Sequence, residues 1–281
     1  MDGQDGRGDL EALAHGASRG DRAALDALVG AISDDVYGLA MRMLGHPADA
    51  EDATQEILVK VVTHLSGFRG ESSLQTWVWR IAANHLVSVR RSRREVPGFS
   101  FEQLEAMLDA GLEAADSLPS PEPSPEAAAL EEEVKLGCTH AMLLCLDREH
   151  RLAFVLSEIY DLTGPQGASV LGIEPAAFRQ RVSRARRRMR AFMERTCGLV
   201  SEEARCRCAT QVGPSVASGL IDPERLVYAS HPVAAEDAVE ARRAYEAIEG
   251  ARRYVAVLRS QPRYAAPERV REGLRALFER A

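Results

Sequence analysis

The stretch from Pro47 to Arg94 leaves the chain one kind of secondary structure to build with. Ala50, Ala53, Ile57, Leu58, Val61, Val62 and Leu65 recur at helical spacing, and so do Leu74, Trp77, Val78, Ile81, Ala82, Leu86 and Val89. Each set makes one apolar stripe on one helix. Pro47 suits a first helical position, because its missing N–H would be unpaired there anyway. Asp49, Glu51 and Asp52 fill the first turn, where carboxylates meet the positive end of the helix dipole. Ser66-Gly67-Phe68-Arg69-Gly70-Glu71 joins the two helices as a turn with two glycines. Ser72 is the expected N-cap of the second helix, with Gln75 as its capping-box partner.

The polar faces of the two helices differ in chemistry. The first presents Asp49, Asp52, Gln55 and Glu56, which suits a basic protein partner. The second presents Gln75, Thr76, Arg80, Asn84, Ser88 and Arg91 and ends in an arginine run over residues 90–94. Arginine, amide and aromatic groups together suit a nucleic-acid strand, whose bases stack on rings and whose phosphates meet arginine. A merely solvated acidic face and a dipole-complementing arginine cluster account for the same residues taken singly, so the rest of the chain decides.

Before this stretch, residues 1–8 are expected to lack structure. Leu10, Leu13 and Ala14, then Ala24, Leu25 and Leu28, predict two short helices broken by Gly20, with Asp21 capping the second. A further helix is expected from Ile32 to Leu44, ended by Gly45. Residues 1–94 thus read as one helical domain, with no alternating β-branched run to suggest a sheet. From 95 to 126 the composition shifts: Pro119, Pro121, Pro123 and Pro125 alternate with Ser and Glu, the pattern of an extended linker. Phe101, Leu104, Met107 and Leu108 allow one amphipathic turn within it.

A second domain is expected over 127–196. Two helices, separated near Asp147-Arg148-Glu149, are followed by a short helix at Ala168–Leu171, the turn Gly172-Ile173, and a longer helix opened by Glu174-Pro175. That is helix-turn-helix spacing. Phe178, Val182, Ala185 and Met189 pack the last helix, while Arg179, Gln180, Arg181, Ser183, Arg184 and Arg186 line its outer side. Arginine reads guanine edges or clamps phosphates, and glutamine reads adenine.

The 281 residues carry a net charge of −7, which excludes a chain basic throughout. No apolar run approaches the roughly 18 residues of a membrane span, and the acidic N-terminus is unlike a secretory leader, so a cytoplasmic protein is expected. No phosphate loop, nucleophile elbow or His/Glu metal motif is present, so an enzyme is not expected.

Three motifs, in order, resemble those of extracytoplasmic-function (ECF) sigma factors of bacterial RNA polymerase. Asp49-Ala50-Glu51-Asp52-Ala53-Thr54-Gln55-Glu56 is similar to the region 2 segment that binds the clamp helices of the polymerase's largest subunit. Phe68-Arg69-Gly70, with Thr76-Trp77-Val78-Trp79-Arg80-Ile81-Ala82-Ala83-Asn84, is similar to the segment that melts the −10 element and captures a flipped base. Val182-Ser183-Arg184-Ala185-Arg186 is similar to the end of region 4, which reads the −35 element. The resemblance covers roughly residues 10–196. It implies an all-α fold of two small helical domains, with core polymerase (clamp helices and flap) and promoter DNA as partners. An anti-sigma factor is a further candidate partner, and no cofactor is required. It assigns polymerase binding to Asp49, Asp52, Gln55 and Glu56. It assigns the −10 strand to Phe68, Arg69, Trp77, Arg80, Asn84 and Arg91, and the −35 groove to Arg179, Gln180, Arg181, Ser183, Arg184 and Arg186. One departure stands out. Gly164-Pro165-Gln166-Gly167-Ala168 replaces the family's acidic-Ile-Ala pattern, and Gly167 weakens that helix by roughly 1 kcal/mol relative to alanine.

Residues 197–281 extend beyond that architecture. Cys138 and Cys145 fit an apolar helical pattern and read as core. Cys197, Cys206 and Cys208 lie in a polar, arginine-bearing stretch, where thiols are expected to ionise more readily. Three readings stand for them: zinc ligands with a fourth from His231 or His140, a redox pair, or no chemical role. Two amphipathic helices follow, at 238–258 and 267–277, and cis-regulation of the sigma domains is one use for them. The competing reading of the whole chain is a stand-alone helix-turn-helix regulator responding to metal or redox state.

Overall fold

The computed structural model describes residues 5–88, 99–118, 124–229 and 253–278. Arg91 with the arginine run around it, Pro119, Pro121 and Pro123, His231 and residues 238–252 of the helix expected over 238–258 lie outside these residues.

The described chain is helical, with no strand beyond a single parallel bridge between Cys197 and Cys206. Helix α1 spans Asp5–Ser18, so order begins earlier than expected. Helix α2 runs unbroken over Arg22–Leu44, joining the two segments read as separate. Asp21 caps it, accepting the N–H groups of Ala23 and Ala24, and Gly45 ends it at φ 73°, where a side chain would be strained. Helix α3 is Pro47–Thr63 and α4 is Leu74–Ser88. Ser73, not Ser72, caps α4: its Oγ accepts the Thr76 N–H at 3.2 Å, whereas the Ser72 hydroxyl is turned onto the Ser73 carbonyl.

The stretch read as a tether contains a four-turn helix, α5, over Phe101–Ala115. Ser100 and Gln103 form its capping box. Phe101 lies against Phe192 with ring centroids 5.0 Å apart, and Arg195 binds Glu105 at 2.6 Å. Burial of Phe101 and Leu104 is what an extended linker could not supply. Helices α6 (Pro125–Leu144), α7 (Arg148–Glu158), α8 (Gly164–Leu171) and α9 (Pro175–Thr196) make the second domain. Beyond it come α10 (Cys208–Ala217), α11 (Arg253–Arg259) and α12 (Glu268–Phe278).

The two domains are not held apart. One apolar core runs from Leu28 and Tyr37 through Phe154 and Met189 to Tyr264. Buried Arg151 donates to the carbonyls of Met43, Leu144 and Leu146, binding the ends of α2 and α6 together. The extension joins this core at several points. Tyr228 donates to the Gly45 carbonyl at 2.6 Å, and Gln261 donates to Thr139 at 2.8 Å.

Candidate polymerase and nucleic-acid interfaces

Buried Ala50, Ala53, Thr54, Ile57, Leu58 and Val61 fix the rotation of α3, so its acidic side faces outward. Asp52 and Glu56 are exposed; Asp49 and Gln55 are half-buried. Sequence reasoning passed over His85, which reaches this face from α4. Its Nδ1 lies 2.6 Å from Lys60 Nζ and its Nε2 lies 3.9 Å from Glu56. Burial and then the Lys60 ammonium lower its pKa, which keeps the ring neutral and able to accept from Lys60.

The second surface is the turn before α4 with the outer side of that helix. Phe68 packs on Trp77 with centroids 5.7 Å apart at 58°, leaving Arg69 and Asn84 exposed nearby in the fold. Arg80 is exposed but engaged: it donates to the Ser169 carbonyl at 3.0 and 3.2 Å and to the Ser169 hydroxyl at 3.2 Å. Ser169 belongs to α8, so a −10 candidate is tied to the helix-turn-helix. Beside it, buried Trp79 packs on Tyr160 at 4.6 Å. The contact between α4 and α8 is a feature that no local pattern announces, because it joins residues about 90 positions apart.

The third surface is α9. Thr163 and Gln166 cap α8, Gly172 turns at φ 62°, and Pro175 opens α9. Phe178, Val182, Ala185 and Met189 are buried as expected, so Arg179, Gln180, Ser183 and Arg184 are exposed along one side. Arg181 pairs with Glu149 at 2.7 Å, and Arg186 donates to Glu158 at 2.8 Å. Gly167, which weakens α8 taken alone, has a packing reason: a Cβ there would sit 2.1 Å from the Phe178 ring.

The tail cysteines are not an activated array. Burial pushes the Cys197 and Cys206 thiols up, and Cys208 up to about 12, against the expected easy ionisation. Among the described residues no group of three or more His, Cys, Asp or Glu side chains is placed to hold a metal ion. His140, one candidate fourth ligand, is buried, stacked on Tyr228 at 4.9 Å and bonded to the Tyr264 hydroxyl at 2.7 Å. The zinc reading is therefore withdrawn for the described residues. No described helix is long and apolar enough to cross a membrane.

An outward acidic helix face, an aromatic-amide surface and an arginine-lined helix-turn-helix on one helical chain are the features of a DNA-binding transcription factor with several contact surfaces. Comparison with known proteins makes this specific. Residues 28–96 match the family model "Sigma-70 region 2" and residues 136–189 match "Sigma-70, region 4". The chain is 33% identical over 178 residues to RNA polymerase sigma-H factor of Pseudomonas aeruginosa, covering 62% of this chain and 88% of that one. It is 30% identical over 189 residues to ECF RNA polymerase sigma factor SigE of Mycolicibacterium smegmatis, covering 66% and 68%. A solved structure of CnrH in complex with the cytosolic domain of CnrY aligns at 24% identity and a TM-score of 0.47, over 66% of this chain and 97% of that one. The chain belongs to the ECF sigma factors, the promoter-specificity subunits that direct bacterial RNA polymerase in transcription initiation.

Proposed function

We propose that the three surfaces divide the work of a sigma factor as follows. Asp49, Asp52, Gln55 and Glu56 on α3 dock on basic helices of the largest polymerase subunit. Phe68, Arg69, Trp77, Arg80 and Asn84 hold unstacked bases of the −10 strand, with Arg91 beyond the described end of α4. Arg179, Gln180, Arg181, Ser183, Arg184 and Arg186 enter the −35 major groove, and the surrounding domain meets the polymerase flap. Residues 1–94 and 127–196 are the two working domains, residues 95–126 connect them, and residues 197–281 regulate them. The role is binding, in the cytoplasm, without catalysis by this chain.

The observation that carries this reading is the separation of chemistries on rigid helices. Carboxylates face outward on α3, an amide and an aromatic pair on the α4 side, and arginines on α9. Extracting a base costs a few kcal/mol, which stacking on Phe68 and Trp77 with phosphate contacts to arginine must offset. The two domains also have to part, because Arg80 is occupied by Ser169 in the structure described.

Open-complex formation tests the division. Core polymerase is mixed with the full chain and a matched promoter, and permanganate reactivity of unpaired thymines is read. Asn84→Ala should lose melting while retaining polymerase binding. Arg184→Ala should weaken promoter binding, by about 1–3 kcal/mol if it makes a base contact. Asn84→Ala melting the promoter as the parent does would refute the −10 assignment.

A further inference from the structure

Helix α12 lies across α3 and α2, on the side of the region 2 domain that carries the acidic residues. Arg269 pairs with Glu51, Arg271 with Asp34 at 3.0 Å, and Arg275 with Asp26 at 3.4 Å. Arg271 and Arg275, four apart, share one side of α12, and Arg269 lies on the other side of the buried stripe, so the arginines flank Val270 and Leu274. Val270 and Leu274, on the same helix, are 3% and 2% exposed. Gly273 lies against α3: a Cβ there would meet the movable end of Gln55, Nε2, at 2.7 Å. The Asp34 carboxylate also accepts the Ala266 N–H at 2.9 Å, which fixes the entry to α12. The seat is incomplete. An open cleft of about 350 Å³ remains between α2 and α12, lined by Leu25, Val29 and Leu274 with Arg22, Asp26 and Arg275.

We infer that the acidic face of α2 and α3 is a shared docking surface, and that α12 is its internal occupant, a basic helix standing where basic helices of core polymerase dock. The inference rests on the assignment of α3 proposed above. A partner helix laid along Gln55 meets the backbone of α12 at Gly273, and one reaching Glu51 meets Arg269 already paired to it. Asp52 and Glu56 remain exposed beside the covered strip. They offer polymerase a first foothold from which α12 can be displaced. Binding by polymerase and seating of α12 are then mutually exclusive, and the apparent affinity is the intrinsic affinity reduced by the fraction of chain in which α12 is lifted.

The test uses the full chain throughout. Labelled parent is titrated with bacterial core RNA polymerase beside two variants. One carries Arg269→Ala, Arg271→Ala and Arg275→Ala; the other carries Leu274→Asp. Far-UV circular dichroism checks that each keeps the parent fold. The Leu274→Asp variant should bind core polymerase at least tenfold more tightly than the parent, and the triple-arginine variant more tightly by a smaller factor. Equal or weaker binding by both folded variants overturns the inference. Asp52→Ala with Glu56→Ala, made in the parent and in the triple-arginine background, separates the two layers of argument. If this pair weakens binding in both backgrounds and the α12 variants do not tighten it, the docking assignment stands and the occupant falls. If the pair leaves binding unchanged, the docking assignment itself falls, and the inference with it.

Discussion

Glu133 ties the second domain to the extension, and replacing it with leucine measures that tie. Glu133 sits on α6, is 3% exposed, and accepts three successive backbone N–H groups: Val227 at 2.7 Å, Tyr228 at 2.9 and 3.1 Å, and Ala229 at 2.7 Å. Leucine keeps the helix propensity and much of the volume, so the change isolates the hydrogen bonds. Each bond to a charged acceptor is worth about 1.5–3 kcal/mol, and each orphaned buried donor costs about 1–3 kcal/mol. The loss is offset by no longer desolvating a carboxylate, and the bonds are not additive. The net cost expected is about 2–4 kcal/mol, which is about a 30- to 1,000-fold rise in the open population of the segment. Amide hydrogen exchange at Val227–Ala229 reads that population directly. Exchange within threefold of the parent at all three amides would refute the reasoning and make the carboxylate cradle incidental.

Two further outcomes follow from buried contacts. Gly167→Ala improves the intrinsic helix propensity of α8 but forces a Cβ into the Phe178 ring, so it should destabilise the chain by about 1–3 kcal/mol in urea unfolding; a stabilised variant would contradict the packing argument. Burial, with Arg42 nearby, lowers the His140 pKa to about 3. The folded state therefore favours the neutral ring, whose contribution is complete above the unfolded pKa of about 6.5 and is lost by about 1.4 kcal/mol per pH unit as pH falls below it. His140→Gln keeps a partner for Tyr264 without a titrating ring, so its stability should fall less steeply than the parent's between pH 6 and 4; parallel slopes would contradict the assignment.

The helices were legible wherever one periodic stripe decided them. Pro47, Asp21, Gly45 and Pro175 marked their boundaries because caps and stops are local chemistry. The misreadings share a cause. The helix expected to start at Ile32 starts at Arg22, because burial of Leu28, Val29 and Ile32 carries one helix through both segments. The tether concealed α5 because a proline-rich composition dominated residues whose partner, Phe192, lies some 90 positions away. Gly167 read as a weakness because the ring it makes room for belongs to the next helix. Asp52 and Glu56 on α3, and Arg179, Gln180, Ser183 and Arg184 on α9, are exposed as helical spacing predicts. The covering of those faces, Arg80 by Ser169 and Glu51 by Arg269, is tertiary and has no local signature. The cysteines misled because thiol acidity depends on burial more than on arginine neighbours in sequence.

The energetics of the α12 seat discriminate between two ways of holding it. Each of its arginine pairs keeps at least one partner largely exposed: Arg269 is 69% accessible over a Glu51 at 13%, Asp34 is 53% accessible over an Arg271 at 27%, and Arg275 and Asp26 are 51% and 55% accessible. Pairs of that kind contribute about 0–1 kcal/mol each and are screened by salt. Val270 and Leu274 are buried, and each such side chain contributes about 1.5–3 kcal/mol. The apolar contribution therefore dominates adhesion, and the arginines set register and choice of face. Raising ionic strength from 0.05 to 0.5 M should then increase amide exchange at Val270–Leu274 less than tenfold. Leu274→Ala should increase it by more than tenfold, since truncating a buried leucine costs about 2–5 kcal/mol. The opposite order would make the seat electrostatic, and α12 would lift with salt alone, without a competing partner.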